Sequence, residues 1–243
     1  MANALRELWT ETLALTVLSW QEARRLWKTL FFSLIFVLLL ALIVSPNDSA
    51  ILKSIQNLGG EPSRPIAEAI SFYFDFYTGS IALVAVLWLC GFFLKRPDLR
   101  TLALACFLSA AIAGTTVNMF RLTLGRPRPS TGVPDGFYGL QASAGYHGFP
   151  SGHSATAFGT MAPIAFLYPP FGVPAIALAA SVGWSRMQLN RHHITDVLVG
   201  AWFGCATGFI LCQAVRRRKD LVSNPPQPTD GETPPQPNSS APD

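Results

Sequence analysis

Six apolar runs separated by short polar breaks organise the chain. They cover residues 29–44, 78–94, 101–120, 153–168, 172–184 and 194–215. Runs of this length without two-residue alternation predict helices, and hydrocarbon about 30 Å thick is crossed by about 20 such residues. The breaks carry stop signals: Ser45-Pro46-Asn47-Asp48 after the first run, Lys95-Arg96-Pro97 after the second, Pro169-Pro170 after the fourth. Ahead of the first run, Leu5, Leu8, Trp9, Thr12, Leu13, Thr16, Val17 and Trp20 recur at helical spacing, with Arg6, Glu7 and Glu11 at other positions. This predicts an N-terminal amphipathic helix, lying in the interface or packed on the bundle. Residues 46–65 are polar and rich in Gly and Pro, which predicts a loop. Residues 66–76 are apolar and aromatic yet contain Glu68 and Asp75, which predicts a surface-lying helix leading into the second run. The chain shows no internal repeat.

Composition supports a membrane class. Half of the residues are hydrophobic and 13% are charged, against about 25% charged in a soluble domain. Mean hydropathy is +0.32. The expected fold is therefore all-α, a six-transmembrane helical bundle over residues 1–219, followed by a disordered cytoplasmic tail, 220–243, of Pro, Ser, Asn and Gln. The net charge of +4 is local rather than spread over a face, which speaks against a nucleic-acid partner. Arg24, Arg25 and Lys28, then Lys95, Arg96 and Arg100, then Arg216 to Lys219 fall on one face if both termini are cytoplasmic. The first run starts too far into the chain for an ordinary signal peptide and reads as a retained span. Cys90, Cys106, Cys205 and Cys212 all sit in apolar stretches without metal-ligand spacing.

The loops on the opposite face break the topology rule, because they hold Arg121, Arg126, Arg128, Arg186 and Arg191. The same loops supply Pro150-Ser151-Gly152-His153, His192 and Asp196, each at a span boundary. Arginines, two histidines and a carboxylate suit phosphoryl transfer. Guanidinium forks match phosphate oxygens and stabilise transition-state charge. One histidine can attack phosphorus and another protonate the leaving oxygen. His192 and Asp196 are four apart, so on a helix they share a face and Asp196 would orient the ring. His193 competes at a spacing of three. Pro150 and Gly152 shape a turn whose Ser151 and free amides would bind an anion, with His153 beside it. A metal site built from His192, His193 and Asp196, with His147 and His153 nearby, is the second reading, and the arginines oppose it. A transporter is the third, and the clustering of ionisable groups at one end opposes it.

Arg121 followed after six residues by Arg128-Pro129, then PSGH at 150–153, then Ser185-Arg186, five residues, His192, three residues and Asp196 resembles the tripartite signature of the type 2 phosphatidic acid phosphatase superfamily. The first basic residue of that signature is usually Lys and is Arg121 here. The shifted Arg126-Pro127 pair is read as supporting or interfacial. The resemblance implies that Arg121, Arg128 and Arg186 bind phosphate, with help from Ser151 and the Gly152 amide. It implies His153 as general acid, His192 as the nucleophile that becomes phosphorylated, and Asp196 behind it. It implies no metal or other cofactor. The partner is a lipid phosphate in the bilayer, with no obligate protein partner. Undecaprenyl pyrophosphate, phosphatidylglycerol phosphate, phosphatidic acid and lipid A 1-phosphate are the substrates it suggests, and a small soluble phosphate ester is the alternative. The implied setting is a bacterial cytoplasmic membrane with the catalytic loops at the extracytoplasmic face.

Overall fold

The computed structural model describes the backbone of residues 2–224 and the side chains of 6–224. Among these residues the regular structure is entirely helical. Nine helices follow one another: α1 (Ala2–Arg25), α2 (Trp27–Val44), α3 (Asp48–Gly59), α4 (Ser63–Tyr73), α5 (Ile81–Phe93), α6 (Pro97–Leu124), α7 (Gly152–Leu167), α8 (Gly172–Gln188) and α9 (Ile194–Ser223). All six apolar runs are helical, and a π-helical turn, Phe76–Ser80, opens the second. Four helical stretches are long and apolar enough to cross a membrane: Trp27–Gly59, Phe76–Phe93, Pro97–Thr131 and Ile194–Ser223. α7 and α8, at 16 and 17 residues, are shorter.

Two expectations are corrected. Residues 46–65 are not a loop: a short 3₁₀ turn, Ser45–Asn47, leads directly into α3, and α4 begins at Ser63. Their polar composition masks an amphipathic helix, in which Asp48 and Leu52 face inward. The tail assigned to 220–243 does not begin at 220, because α9 continues through Ser223. Residues 225–243 lie outside the described residues.

α7 sits at the centre, packed against α6, α8 and α9. Small residues permit that approach. Gly200, Gly204 and Gly208 recur every four residues and form one face of α9 toward α7. A Cβ on Gly204 would lie 2.5 Å from the Ala155 carbonyl oxygen, and one on Gly159 would lie 2.9 Å from the Ala110 Cα on α6. Side chains of Ala157, Met161, Ala175, Ala179 and Val182 close the α7–α8 seam. α1 packs on the far end of the bundle. Leu15 is buried among Leu104, Ala105, Leu211 and Val215, while Trp9, Val17 and Trp20 face outward. Glu22 pairs with Arg217 at 3.1 Å, and Glu11 with Arg218 at 3.1 Å. The basic end of α9 is thus partly neutralised by α1.

Candidate active site

The site forms where α6, α7, α8 and α9 reach one end of the bundle. Gly125, in the left-handed region at φ 60°, ends α6 and turns the chain back on itself. Backbone bonds from Tyr138, Gly139 and Gln141 to the last turn of α6, and from Gly148 to Arg126, fold the 125–150 loop over that end. The Ser151 amide then donates to the Asp196 carbonyl at 2.9 Å, so the start of α7 is fastened to the first turn of α9.

His192 is buried just ahead of α9. Its Nδ1 lies 2.7 Å from the Gly148 carbonyl oxygen. A carbonyl only accepts, so Nδ1 carries the proton and Nε2 keeps its lone pair. Burial, together with the charges of Arg186, Arg121 and Arg128, holds the ring well below the ordinary histidine pKa, and therefore neutral. A neutral ring with a free nitrogen is what nucleophilic attack needs.

The three arginines are positioned separately. Arg121 leaves the last turn of α6, with Nε donating to the His147 carbonyl at 3.1 Å and Nη1 to Asn118 Oδ1 at 3.0 Å. Gly152 lets its guanidinium lie against the start of α7, since a Cβ there would stand 2.6 Å from Nη1. Arg186 ends α8 and donates to the Ser71 hydroxyl on α4. Arg128 follows the loop turn. Burial comes first, and the neighbouring Arg191 second, in pulling the Arg128 pKa down. Among the described residues, no acceptor meets the buried Nε–H groups of Arg128 and Arg186. Buried donors of this kind on guanidinium groups suit an oxyanion.

His153, in the first turn of α7, places Nε2 3.2 Å from Asp75 Oδ1. Asp75 precedes the π-helical turn, and its carbonyl accepts from the Gly79 and Ser80 amides. The sequence reading saw Asp75 only as a charge in an apolar run. That anomaly was the available signal.

One expected role is corrected. Asp196 does not orient His192 through a direct hydrogen bond, because its Oδ2 lies 3.6 Å from Nδ1. The Asp196 carboxylate instead accepts from the His193 amide at 2.7 Å and from Arg126 Nη1 at 2.6 Å. It caps α9 and fixes the segment that carries His192. Ser151 is the N-cap of α7: its hydroxyl is fully buried and bonded to Ser154.

Arg126 is the supporting residue of the shifted Arg-Pro pair. Its guanidinium reaches Asp196, Asp48, Asp135 and Thr195. Burial opposes its charge, but Asp135, Asp196 and Asp48 outweigh that and raise its pKa above the usual arginine value. Asp48, at the start of α3, also accepts from the Thr195 amide at 3.2 Å and from its hydroxyl. Asp48, Asp135 and His193 bring ligand atoms within 4.8 Å of one another. The Arg126 Nη2 already lies 3.0 Å from Asp48 and 2.6 Å from Asp135, so a guanidinium supplies the positive charge between those carboxylates.

Beside His153 and Arg121 a cleft of about 520 Å³ opens between α6 and the π-helical turn. Asp75 and Asn118 stand at its polar end, and Ala110, Ala111, Gly114 and Phe107 continue it down the apolar face of α6.

Residues 101–220 match the PAP2 superfamily. Lipid A 1-phosphatase of Rhizobium johnstonii is 30% identical over 114 residues, covering 44% of this chain and 47% of the relative. The lipid A 1-phosphatase of Rhizobium etli is 32% identical over 101 residues, covering 40% and 44%. The matches therefore span less than half the length of these curated relatives. A PAP2-type phosphatidylglycerolphosphate phosphatase from Bacillus subtilis, known from its crystal structure, shares the fold with a TM-score of 0.60 and 22% identity. That likeness covers 78% of this chain and 95% of that one. Arg121, Arg128, His153, Arg186, His192 and Asp196 all lie inside the matched segment, and over those residues, 101–220, the chain belongs to the PAP2 superfamily.

Proposed function

We propose that this chain is a metal-independent phosphatase of membrane lipid phosphates, acting through a phosphohistidine at His192, with a lipid A 1-phosphate as its substrate. The observation that carries the reading is a buried, neutral His192 under the charges of Arg186, Arg121 and Arg128, beside a cleft lined by Arg121 and His153 that runs down α6. An aqueous phosphate ester needs no such apolar cleft, whereas a lipid can leave its tails in the bilayer while its phosphate enters the arginine cluster. The names of the 30% and 32% identical relatives favour lipid A 1-phosphate among the lipid candidates.

The arginines bind and screen the phosphate. His192 Nε2 attacks phosphorus as the bond to the lipid oxygen breaks. His153, held by Asp75, gives its proton to that oxygen, and the dephosphorylated lipid departs along the cleft. His153 then takes a proton from water, which attacks the phosphohistidine and releases inorganic phosphate and free His192. Guanidinium groups supply the charge stabilisation that a metal would otherwise provide. A six-span topology with both termini cytoplasmic accords with this chemistry. α2, α5 with its π-helical turn, α6, α7, α8 and α9 are the spans, and the three basic clusters lie opposite the site.

The test is phosphate release by the purified protein from lipid A 1-phosphate, phosphatidic acid, phosphatidylglycerol phosphate and undecaprenyl pyrophosphate, each in excess EDTA. The expected result is release, fastest from lipid A 1-phosphate. No release from any lipid, or activity recovered only by adding one divalent ion, would overturn the reading.

A further inference from the structure

Below the candidate active-site cleft lies a second hollow of about 600 Å³, with almost wholly apolar walls. α5 contributes Val84, Ala85 and Trp88, α6 contributes Ala103 and Leu104, and α1 contributes Leu8 and Thr12. Phe107 lines both this hollow and the cleft above it. Its ring stacks on Phe76, which lines the cleft, with centroids 6.4 Å apart, so this aromatic pair stands where the two hollows adjoin.

The depth of the lower chamber points to its occupant. At 1.5 Å of rise per residue, Phe107 lies about 21 Å and Ala103 about 27 Å below Arg121 along α6. One leaflet of a bilayer offers about 15 Å of hydrocarbon, half of its core. A tail anchored by its phosphate at Arg121 enters the lower chamber only if it is longer than one leaflet is deep. The floor is fastened in place: Thr101 donates to Glu11 at 2.7 Å, and Arg100 stands 3.8 Å from Glu7, which ties α1 to the start of α6.

We infer that the lower chamber holds the end of a substrate hydrocarbon tail that exceeds one leaflet in length, with Phe76 and Phe107 as the neck it passes. The inference rests on the lipid-phosphatase reading and adds chain length as the property selected. Because a tail leaves one apolar medium for another, the gain comes from packing rather than from removal of surface from water. The selectivity should therefore be moderate.

The experiment uses the full chain in bilayer nanodiscs and two lipid phosphates with the same headgroup. One has tails of single-leaflet length, and the other has one tail nearly twice as long. The expected kcat/KM is about five-fold higher for the long tail, a difference of about 1 kcal/mol. Ala85→Phe, which projects into the chamber from an exposed position on α5, should remove that preference and leave the short-tailed substrate unchanged, which also serves as the folding control. A photoreactive group at the end of the long tail should label the Leu8–Thr12 stretch of α1. Equal rates on the two lipids with wild type, a preference that survives Ala85→Phe, or labelling confined to Phe76 and Tyr77 would overturn the inference. Failure to hydrolyse either lipid would instead remove the lipid-phosphatase reading, and this inference with it.

Discussion

At the scale of single residues, the chemistry depends on groups that hold other groups. In the proposed mechanism Asp75 positions His153, whose ring it contacts. Asp75→Asn should lower kcat on an alkyl lipid phosphate by about ten- to a hundred-fold, with little change in KM. An activated aryl phosphate, whose leaving group needs no proton, should lose much less. Equal losses on both substrates in a steady-state assay would reduce Asp75 to a structural contact. His192 makes a second, thermodynamic prediction. Its folded pKa is depressed below the unfolded value of about 6.5. Below that pH the unfolded chain takes up a proton that the folded chain refuses. The stability tied to a neutral His192 is therefore complete above pH 6.5 and is lost as the pH falls. The loss grows as the pH falls further below that value. Denaturation in detergent at pH 7.5 and 5.5 should show a smaller pH effect in His192→Asn than in wild type. The arginines and histidines of this cluster were readable from spacing because each motif is local in the sequence. Asp75, Asp48 and the Gly148 carbonyl were not. Their partners are distant in the chain, and a backbone carbonyl leaves no trace in residue type. The Asp196 role was misread for a related reason: a spacing of four places two side chains on one face only if both belong to the helix, and His192 lies before it.

At the scale of elements, the bundle is organised by close approach rather than by large apolar side chains. The Gly200, Gly204 and Gly208 face of α9 lets α7 come near enough for the Ser151 amide to reach the Asp196 carbonyl. Helix packing and site assembly are thus one event. Gly204→Leu would drive a side chain into the Ala155 carbonyl, and overpacking of this kind costs about 1–3 kcal/mol or more. The expected outcome is a lowered detergent melting temperature together with loss of turnover. Gly204→Ala should fall between wild type and Gly204→Leu. A Gly204→Leu protein with normal stability would show that the helices are not held at this separation. The apolar runs made the helices legible, and their ends were drawn short where polar residues continue the turn, as Arg121 does on α6 and Arg186 on α8. α3 was missed because its inward face is narrow and its exposed face is polar. That helix nevertheless carries Asp48 into the buried network behind the site.

At the scale of the whole molecule, two regions divide the work. The segment 101–220 carries His192, His153 and the three arginines of the proposed mechanism. The region before it adds Asp48, Ser71 and Asp75 from behind, and α1 and α5 from below. The all-helical class was legible from the runs alone, because long apolar stretches without two-residue alternation have few other uses. How the first third of the chain serves the site was not legible, since it depends on contacts between residues more than a hundred positions apart, such as Arg186 with Ser71. The central claim is that phosphate passes through His192. It is tested by a rapid, acid-free quench of the purified full chain during turnover of a 32P-labelled lipid phosphate, followed by phosphopeptide mapping. The account predicts label on His192, absent in His192→Ala along with product release. Label on His193, or near-normal turnover by His192→Ala, would contradict it.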